Sequence, residues 1–438
     1  MKVSSSIYIG TLLAASAHSR LADAAAVGNT SNDQPILMLS SDPTFHFDLL
    51  IPLAQATAGG GDINPILGAA KNIKAGDMDS FTQVFLALAK ETKAHAENPD
   101  NAYDPVNVRD TWFSASQYFR RASFFLTRNW SDPLIDSLWA EQTAAFDKGL
   151  AALPIPGERI RIPAPKGNFT VEAIWYAASE RKDANLPTLI VGNGLDGSQE
   201  DSYHSYVAAA LARGWNAITY EGPGQNTVRR EQDLGFIPDW EVVVTPVVDY
   251  LLSEKSKAVD QDRIAILGNS MGGYGATRAV AFEPRLAAAV LIDAVWDLYE
   301  GYALQIPDGP REVYEAGNTT QFDREMLSLR ESGKLSTGAA WGLDYGLWAF
   351  NTHSPSDFFT QTKQFAVKDF IHKINVPVFV GAAQYEDNYP GQPERVKEAL
   401  GDKGTLHHYN GVAGYHCQTG ASQEVARTVF AWLNKTLG

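Results

Sequence analysis

The stretch RIAILGNSMGGYGATRAVAF, residues 263–282, places one serine between two glycines where an apolar run gives way to a helical pattern. The run before Gly268 is typical of a buried strand, and the residues after Ser270 favour a helix. Gly268 and Gly272 flank Ser270 in the arrangement G-x-S-x-G, and side chains at either position would collide with neighbouring backbone in a tight strand-to-helix turn. The stretch therefore predicts a turn that exposes Ser270 as a nucleophile, beside a helix N-terminus that favours developing negative charge.

Short apolar runs and helical patterns alternate on both sides of this turn. Two runs, ERIRIP and FTVEAIWY, are typical of an antiparallel pair that opens the sheet. Later runs are typical of buried parallel strands: PTLIVGNG, NAITYEG, RIAILGNS, AAAVLIDAV and VPVFVGAA. Strands separated by helices in this way indicate a doubly wound, mostly parallel α/β sheet. We therefore predict an α/β domain over residues 154–438, with Ser270 after the third parallel strand.

Helical periodicity dominates the residues before the sheet. Apolar side chains recur at i, i+3, i+4 and i+7 from Phe81 to Leu88, and similar patterns continue to Leu153. We predict a helical N-terminal domain over residues 26–153. A second helical segment, rich in aromatic residues, is predicted at about 298–365, because the interval between two strands is too long there for a simple connection. It would form a cap inserted into the α/β domain.

Composition and charge exclude several classes of protein. Of the 438 residues, 45% are hydrophobic and 20% are charged, which is typical of a folded globular protein. The net charge of -15 provides no basic surface for nucleic acid or for an anionic membrane. The sequence has no uninterrupted apolar stretch of about 18 residues, so no membrane-spanning helix is predicted. Cys417 is the single cysteine, so the chain cannot form an internal disulfide.

The first 25 residues have the pattern of a secretory signal. Lys2 precedes the apolar run IYIGTLLAASA, and the small residues that follow suit a cleavage site. We predict a signal peptide over residues 1–25 and a protein that enters the secretory pathway or is secreted, with a cytoplasmic location if this segment is not a signal. Sequons for N-glycosylation begin at Asn29, Asn129, Asn168, Asn318 and Asn434.

A serine nucleophile needs a general base and a carboxylate that orients the base. In a fold of this class the chain order is serine, acid, histidine. Of the nine histidines, only His407, His408 and His416 follow the last buried strand. His416 lies in the glycine-flanked loop GVAGYHCQTGA, whereas the other two lie in TLHHYN, which is typical of an edge strand. We therefore predict that His416 is the base.

Two adjacent carboxylates compete for the role of the acid. Glu386 and Asp387 both follow the strand VPVFVGAA. Glu386 lies nine positions after Pro377, a spacing common in hydrolases of this fold, whereas aspartate is the more usual acid. Because neighbouring loop side chains can point in different directions, only one of them is expected to face His416. We favour Glu386 and keep Asp387 as the alternative.

The oxyanion that forms when a serine attacks an acyl group needs two backbone N–H donors. Met271, which follows the nucleophile, is predicted to supply one, and Leu195, in the loop after TLIVGNG, to supply the other. The glycine-rich GNGLDG matches neither G-x-G-x-x-G nor a P-loop, and the sequence has no H-E-x-x-H or Cys/His cluster. We therefore expect neither a cofactor nor a metal ion.

Longer motifs connect this chain to a known family. GNGLDGSQED, YEGPGQ, FIPDWEVVVTPVVDYL, GNSMGGYGA, YPGQPERV and GYHCQTGA occur in this order. Together they resemble the α/β-hydrolases that include bacterial 2,6-dihydropseudooxynicotine hydrolase and fungal polyketide-pathway hydrolases, among them the melanin enzyme that shortens a heptaketide and hydrolases of fusarin- and cytochalasin-type clusters. The resemblance implies an α/β-hydrolase fold, a triad of Ser270, Glu386 and His416, and a pocket between the helical domain and the carboxyl edge of the sheet.

The resemblance also implies a function. We expect a serine hydrolase that acts on a carbonyl of a polyketide or polyketide–peptide intermediate in fungal secondary metabolism. A first alternative uses the same site for ring closure without hydrolysis, with His416 abstracting a proton to form a lactam or a carbocycle. A second alternative is a secreted carboxylesterase or lactonase. The expected partner is a small-molecule substrate, and the sequence leaves open whether the chain forms a homodimer.

Overall fold

An eight-stranded sheet organises residues 39–438 of the computed structural model, which describes residues 35–438. The sheet order is β1-β2-β4-β3-β5-β6-β7-β8; β2 is antiparallel to β1 and to β4, and every other pair is parallel. This arrangement confirms the predicted α/β-hydrolase fold, with TLHHYN as the edge strand. The strands are β1 (Glu158–Ala164), β2 (Phe169–Tyr176), β3 (Leu186–Gly192), β4 (Asn216–Glu221), β5 (Val259–Asn269), β6 (Ala288–Ile292), β7 (Val378–Ala383) and β8 (Gly404–Tyr409).

Helices precede the sheet and separate its strands. Those before the sheet are α1 (Pro43–Gln55), α2 (Ile63–Asn72), α3 (Met78–Glu97), α4 (Pro105–Ala122) and α5 (Leu134–Ala151). Those between β3 and β6 are α6 (Gln199–Ser202), α7 (Ala208–Leu211), α8 (Asn226–Gln232), α9 (Glu241–Glu254) and α10 (Met271–Phe282). Those after β6 are α11 (Leu298–Ala303), α12 (Asp308–Glu315), α13 (Thr319–Glu331), α14 (Thr337–Ala349), α15 (Pro355–Thr362), α16 (Gln392–Leu400) and α17 (Ser422–Leu437).

Apolar side chains cover both faces of the sheet. Successive strand residues point to opposite faces, so Ile190 and Ile266 belong to the core packed under α9 and α10, whereas Val191 and Leu267 belong to the core packed under α17. Burial on both sides explains why the central strands are continuous apolar runs rather than alternating ones.

Helices occupy both segments in which the sequence predicts them. The first five helices fall within residues 43–151, and α11–α15 fall within residues 298–362 between β6 and β7. Residues 39–438 form one compact unit, and the division into an N-terminal domain, an α/β domain and a cap stays a prediction. The predicted signal peptide and Asn29 lie outside the described residues. Among residues 35–438, no helix is both long and apolar enough to cross a membrane.

The strand order determines where a site can form. Strand β3 lies between β4 and β5, so the chain leaves β3 towards one edge of the sheet and returns to β5 on the other side. Ligands of doubly wound sheets bind outside the carboxyl ends of the strands at such a reversal. The loops that follow β3, β5, β6 and β7 carry Asn193, Ser270, Asp293 and Glu386 at this edge.

Candidate active site

Ser270 occupies the turn between β5 and α10 in a strained backbone conformation. Its φ is +52° and its ψ is -126°, a region that residues other than glycine rarely adopt. Its backbone N–H donates to the carbonyl of Ile292 on β6 at 2.9 Å, which ties the turn to the neighbouring strand. Strain of this kind persists only where the surrounding structure imposes it, and it holds the Ser270 side chain at the end of the sheet.

The two glycines beside Ser270 are required by close backbone contacts. A Cβ atom at Gly268 would lie 2.0 Å from the carbonyl oxygen of Gly272, and one at Gly272 would lie 2.4 Å from the carbonyl oxygen of Asn193. Neither neighbour is the end of a flexible side chain, so any larger residue forces the backbone to move. The sequence predicts this steric requirement correctly.

We expect Gly268→Ala to lower the free energy of unfolding by about 3 kcal/mol and to displace Ser270, because the added methyl group overlaps backbone. Urea denaturation measures the first effect and turnover the second. Gly68→Ala on α2 is the matched control, since its Cβ would have no neighbour within 4 Å among the described residues. That control is expected to raise stability by about 0.5–1 kcal/mol. Equal stability of the two variants would contradict the prediction.

His416 and Glu386 form a hydrogen-bonded pair in which Glu386 is buried and His416 is partly buried. His416 Nδ1 lies 2.5 Å from Glu386 Oε2. The other carboxylate oxygen, Oε1, accepts from the backbone N–H groups of Asn388 at 2.8 Å and Tyr389 at 2.9 Å. The second ring nitrogen, Nε2, lies 3.5 Å from Cys417 Sγ. The carboxylate thereby fixes the orientation of the imidazole ring.

Each member of this pair favours the charged form of the other. Burial raises the pKa of Glu386, but His416 and the hydrogen bonds to the carboxylate lower it below its usual value. Burial lowers the pKa of His416, but Cys417 and Glu386 raise it well above its usual value. A charged imidazolium is therefore stabilised at this position, as a general base requires once it has taken a proton.

The structure distinguishes the alternatives that the sequence leaves open. Glu386 is 8% exposed and contacts His416, whereas the adjacent Asp387 is exposed to solvent. The other two candidates for the base, His407 and His408, lie on β8. His407 stacks on Phe379, and His408 is 3.7 Å from Glu394. Of the predicted candidates, the fold therefore brings Glu386 together with His416.

Asp293 is a buried carboxylate at the site that sequence reasoning missed. It follows β6, is fully buried and has a φ of +50°. Its oxygens accept hydrogen bonds from the Ala383 backbone at 2.7 Å, the Cys417 backbone at 2.5 Å and the Gln418 side chain at 3.0 Å. Asp293 thus joins the end of β7 to the loop that carries His416. The sequence feature that could have pointed to Asp293 is its position directly after the buried run AAVLI.

Burial raises the pKa of Asp293 to about 7 and raises that of the Cys417 thiol. Asp293, His416 and Cys417 also place potential ligand atoms within 4.8 Å of one another. Both oxygens of Asp293 accept hydrogen bonds, and His416 Nδ1 is bound to Glu386. A hydrogen-bonded network therefore explains why these three side chains lie close together. The absence of a metal ion stays a prediction.

The loop after β3 passes directly beside Ser270. A Cβ at Gly194 would lie 3.4 Å from Ser270 Cβ. The side chain of Gln225, from the YEGPGQ turn, donates to the carbonyls of Asn193 at 3.1 Å and Gly194 at 3.2 Å and so fixes this loop. Leu195 follows in the same loop, and the other predicted donor, Met271, is the first residue of α10. From the sequence, YEGPGQ is recognised only as a family motif, and this contact is not indicated.

Tyr389, in the loop after β7, lies near His416 and Ser270. It is 6% exposed, and its ring lies 6.0 Å from that of His416. Burial raises the pKa of Tyr389, while His416 and a side-chain hydrogen bond with Ser270 lower it. The motif YPGQPERV contains this tyrosine, but the sequence does not indicate that it lies beside His416.

Ser270 and His416 line one open cleft, whose empty volume is about 860 Å³. Phe47 and Ile51 on α1 form an apolar part of its wall, and Arg121 on α4 also lines it. The cleft therefore lies between the N-terminal helices and the carboxyl edge of the sheet, where the resemblance places the pocket.

A doubly wound sheet with a strained serine between β5 and α10 and a histidine–carboxylate pair beyond β7 defines the class of α/β-hydrolases. Comparison with known proteins gives the same result. Residues 189–413 match the model of the Alpha/beta hydrolase family, and the chain belongs to this family.

Relatives of the chain are fungal hydrolases. The chain is 30% identical over 412 residues to the hydrolase acrC of Aspergillus aculeatus, covering 89% of this chain and 96% of that protein. It is 28% identical over 408 residues to the 20-hydroxy-prefusarin hydrolase FUS2 of Gibberella moniliformis, covering 90% and 96%. The crystal structure of 2,6-dihydroxy-pseudo-oxynicotine hydrolase has the same fold, with a TM-score of 0.69 at 19% identity over 88% of this chain and 95% of the other. The resemblance seen in the sequence motifs is therefore confirmed.

Proposed function

We propose that this chain is a serine hydrolase that acts on a carbonyl of a polyketide or polyketide–peptide intermediate in fungal secondary metabolism. In this proposal Ser270 is the nucleophile, His416 the general base and Glu386 the acid that orients it. The observation that carries the proposal is the cleft lined by Ser270 and His416, in which His416 Nδ1 is bound to Glu386 at 2.5 Å.

The proposed reaction begins when the Ser270 hydroxyl adds to the substrate carbonyl and His416 takes its proton. The N–H groups of Met271 and Leu195 stabilise the resulting oxyanion. When the carbonyl belongs to a β-dicarbonyl compound, collapse of the adduct breaks the carbon–carbon bond and the electron pair leaves as an enolate, which the protonated His416 neutralises. Water then hydrolyses the acyl-enzyme, with His416 again acting as the base.

The substrate class is inferred from relatives. One relative is described as a 20-hydroxy-prefusarin hydrolase, and this chain covers 96% of its length. Similarity over nearly the whole of both chains supports a related substrate more strongly than a shared fold does, because a fold by itself does not determine function.

The test separates hydrolysis from ring closure. The compound that accumulates in a strain lacking this gene is isolated and offered to the purified protein in water labelled with oxygen-18. Hydrolysis is expected to add the elements of water and to place one labelled oxygen in the product. A product with the mass of the substrate and no label would contradict hydrolysis and support the alternative, in which His416 only transfers a proton.

We also infer that the chain enters the secretory pathway. The leader pattern supports this inference. Glycosylation also needs asparagines that are exposed at the surface, and the four sequon asparagines within the described residues are exposed: Asn129, Asn168, Asn318 and Asn434.

A further inference from the structure

Several side chains that line the Ser270 cleft have a buried polar atom without a hydrogen-bond partner among the described residues. The donor atoms belong to Arg121 and Asn193, and the acceptor atoms to Gln55 and Gln418. A buried polar group is normally hydrogen-bonded, since the loss of water is otherwise uncompensated. Their concentration in one cleft indicates a polar ligand that supplies the missing partners.

Arg121 is the most unusual member of this group. Arg121 is 1% exposed, and its Nε and Nη1 atoms have no hydrogen-bond partner within residues 35–438. The nearest carboxylates are Asp201, 3.6 Å from Nη2, and Asp48, 3.9 Å from Nη1, distances too long for hydrogen bonds. The Phe124 ring lies 4.8 Å from the guanidinium carbon and limits its movement. A charged group is thus held in place with part of its donor capacity unused.

The adjacent Arg120, in the same helix, has hydrogen-bond partners for its guanidinium group. Its Nε donates to Asp201 Oδ2 at 3.0 Å, and its Nη2 donates to the backbone carbonyl of Asp196. Asp201 is held further by Gln55 Nε2 at 3.3 Å. Asp201 therefore pairs mainly with Arg120 at 3.0 Å, and its distance to Arg121 is longer, 3.6 Å.

Three carboxyl groups lie near the two arginines, and their pKa values shift in different directions. Burial raises the pKa of Asp48 to about 8, which favours its neutral form. Burial also raises the pKa of Asp196, whereas Arg120 and Arg121 outweigh burial and lower that of Asp201. Asp201 is thus the carboxylate whose charged form the two guanidinium groups favour, and they share it.

We propose that Arg121 binds a delocalised oxyanion of the substrate, either a carboxylate or the enolate of a β-dicarbonyl group, in the cleft that Ser270 lines. This inference rests on the proposed function and adds a substrate-binding residue to it. Arginine suits such a ligand because its planar, permanently charged group presents several fixed donors to paired oxygens. The apolar Phe47 and Ile51 accommodate the hydrocarbon part of the same molecule.

The test measures binding in the Ser270→Ala protein, so that it does not depend on turnover. Titration calorimetry compares two pairs of probes. One pair is phenylpentanoate and its neutral amide. The other pair, measured at a pH at which the diketone is ionised, is benzoylacetone as its enolate and its doubly methylated derivative, which cannot form an enolate. We expect the anionic member of at least one pair to bind at least about tenfold more tightly than its neutral match. The pair that shows the preference identifies the oxyanion.

Arg121→Met is expected to bring the preference to about one, and Arg121→Lys to reduce it severalfold because lysine keeps the charge but lacks the planar group. Arg181→Met removes an exposed arginine and is expected to leave the preference unchanged. If Arg121→Met does not fold, as judged by its melting transition, the comparison with Arg121→Lys decides. No anionic preference in either pair, or a preference that both Arg121 variants retain, would overturn the proposal. A failure of the proposed catalysis would appear separately, as undiminished turnover in Ser270→Ala.

Discussion

Replacing Ser270 by alanine is expected to lower kcat by about 10⁴-fold or more, because the covalent route is lost and only binding and oxyanion stabilisation remain. The strained turn at φ +52° is imposed by the packing around Gly268 and Gly272, so alanine is expected to adopt it as serine does. The melting temperature should therefore stay close to that of the native chain. Turnover of the accumulated substrate is the measurement.

Ser332→Ala is the control for this prediction. Ser332 is exposed at the end of α13, far along the chain from the cleft residues, and its loss should leave kcat within about twofold. Activity of Ser270→Ala within tenfold of the native chain would exclude covalent catalysis by this residue. Reaction of Ser270 with a fluorophosphonate, detected by mass spectrometry, gives an independent check on the same role.

Glu386→Gln is expected to lower kcat by about 10⁴-fold, whereas Asp387→Asn should change it less than threefold. A glutamine nitrogen donates a hydrogen bond towards His416 Nδ1, where the carboxylate accepts one. The proton of the neutral imidazole then moves to Nε2, and that nitrogen cannot take the proton of Ser270 as the proposed mechanism requires. Asp387 is exposed and shares the backbone environment of Glu386, which makes it a matched control. A larger loss of kcat in Asp387→Asn than in Glu386→Gln would indicate that Asp387 is the acid.

The pH dependence gives a second measurement on the Glu386 variant. Glu386 raises the pKa of His416, and a general base works only in its neutral form. The activity of the native chain should therefore rise with pH until it passes this raised pKa. Removing the carboxylate lowers the pKa of His416, so the acid limb of kcat/KM should move to lower pH in Glu386→Gln. An unmoved acid limb would mean that another group controls it.

The sequence was sufficient for the features that depend on neighbours along the chain. Apolar runs flanked by turns identified the strands, and helical patterns identified the helices before the sheet and those between β6 and β7. The glycines beside Ser270 predicted the turn, because the clash that excludes a side chain occurs within the same strand–turn–helix unit. The order of serine, acid and histidine restricted the candidates for the base to His407, His408 and His416.

Contacts between distant segments needed the tertiary structure. Which of Glu386 and Asp387 faces His416 depends on how the loop after β7 is held, and the backbone donors at Asn388 and Tyr389 hold it with Glu386 inward. Asp293 was missed because its partners lie on other elements, as far along the chain as Cys417. A carboxylate after a strand has no sequence signal that specifies such a partner.

The sequence by itself determined the doubly wound fold, the serine turn and the family, because periodicity, glycine placement and ordered motifs are local properties. Only the tertiary structure decided which carboxylate pairs with His416 and which polar side chains line the cleft. Arg121 shows the reason most directly. Within its helix it is one of two adjacent arginines, and only the folded chain gives Arg120 the close carboxylate and leaves Arg121 buried beside the cleft of Ser270 with unused donors.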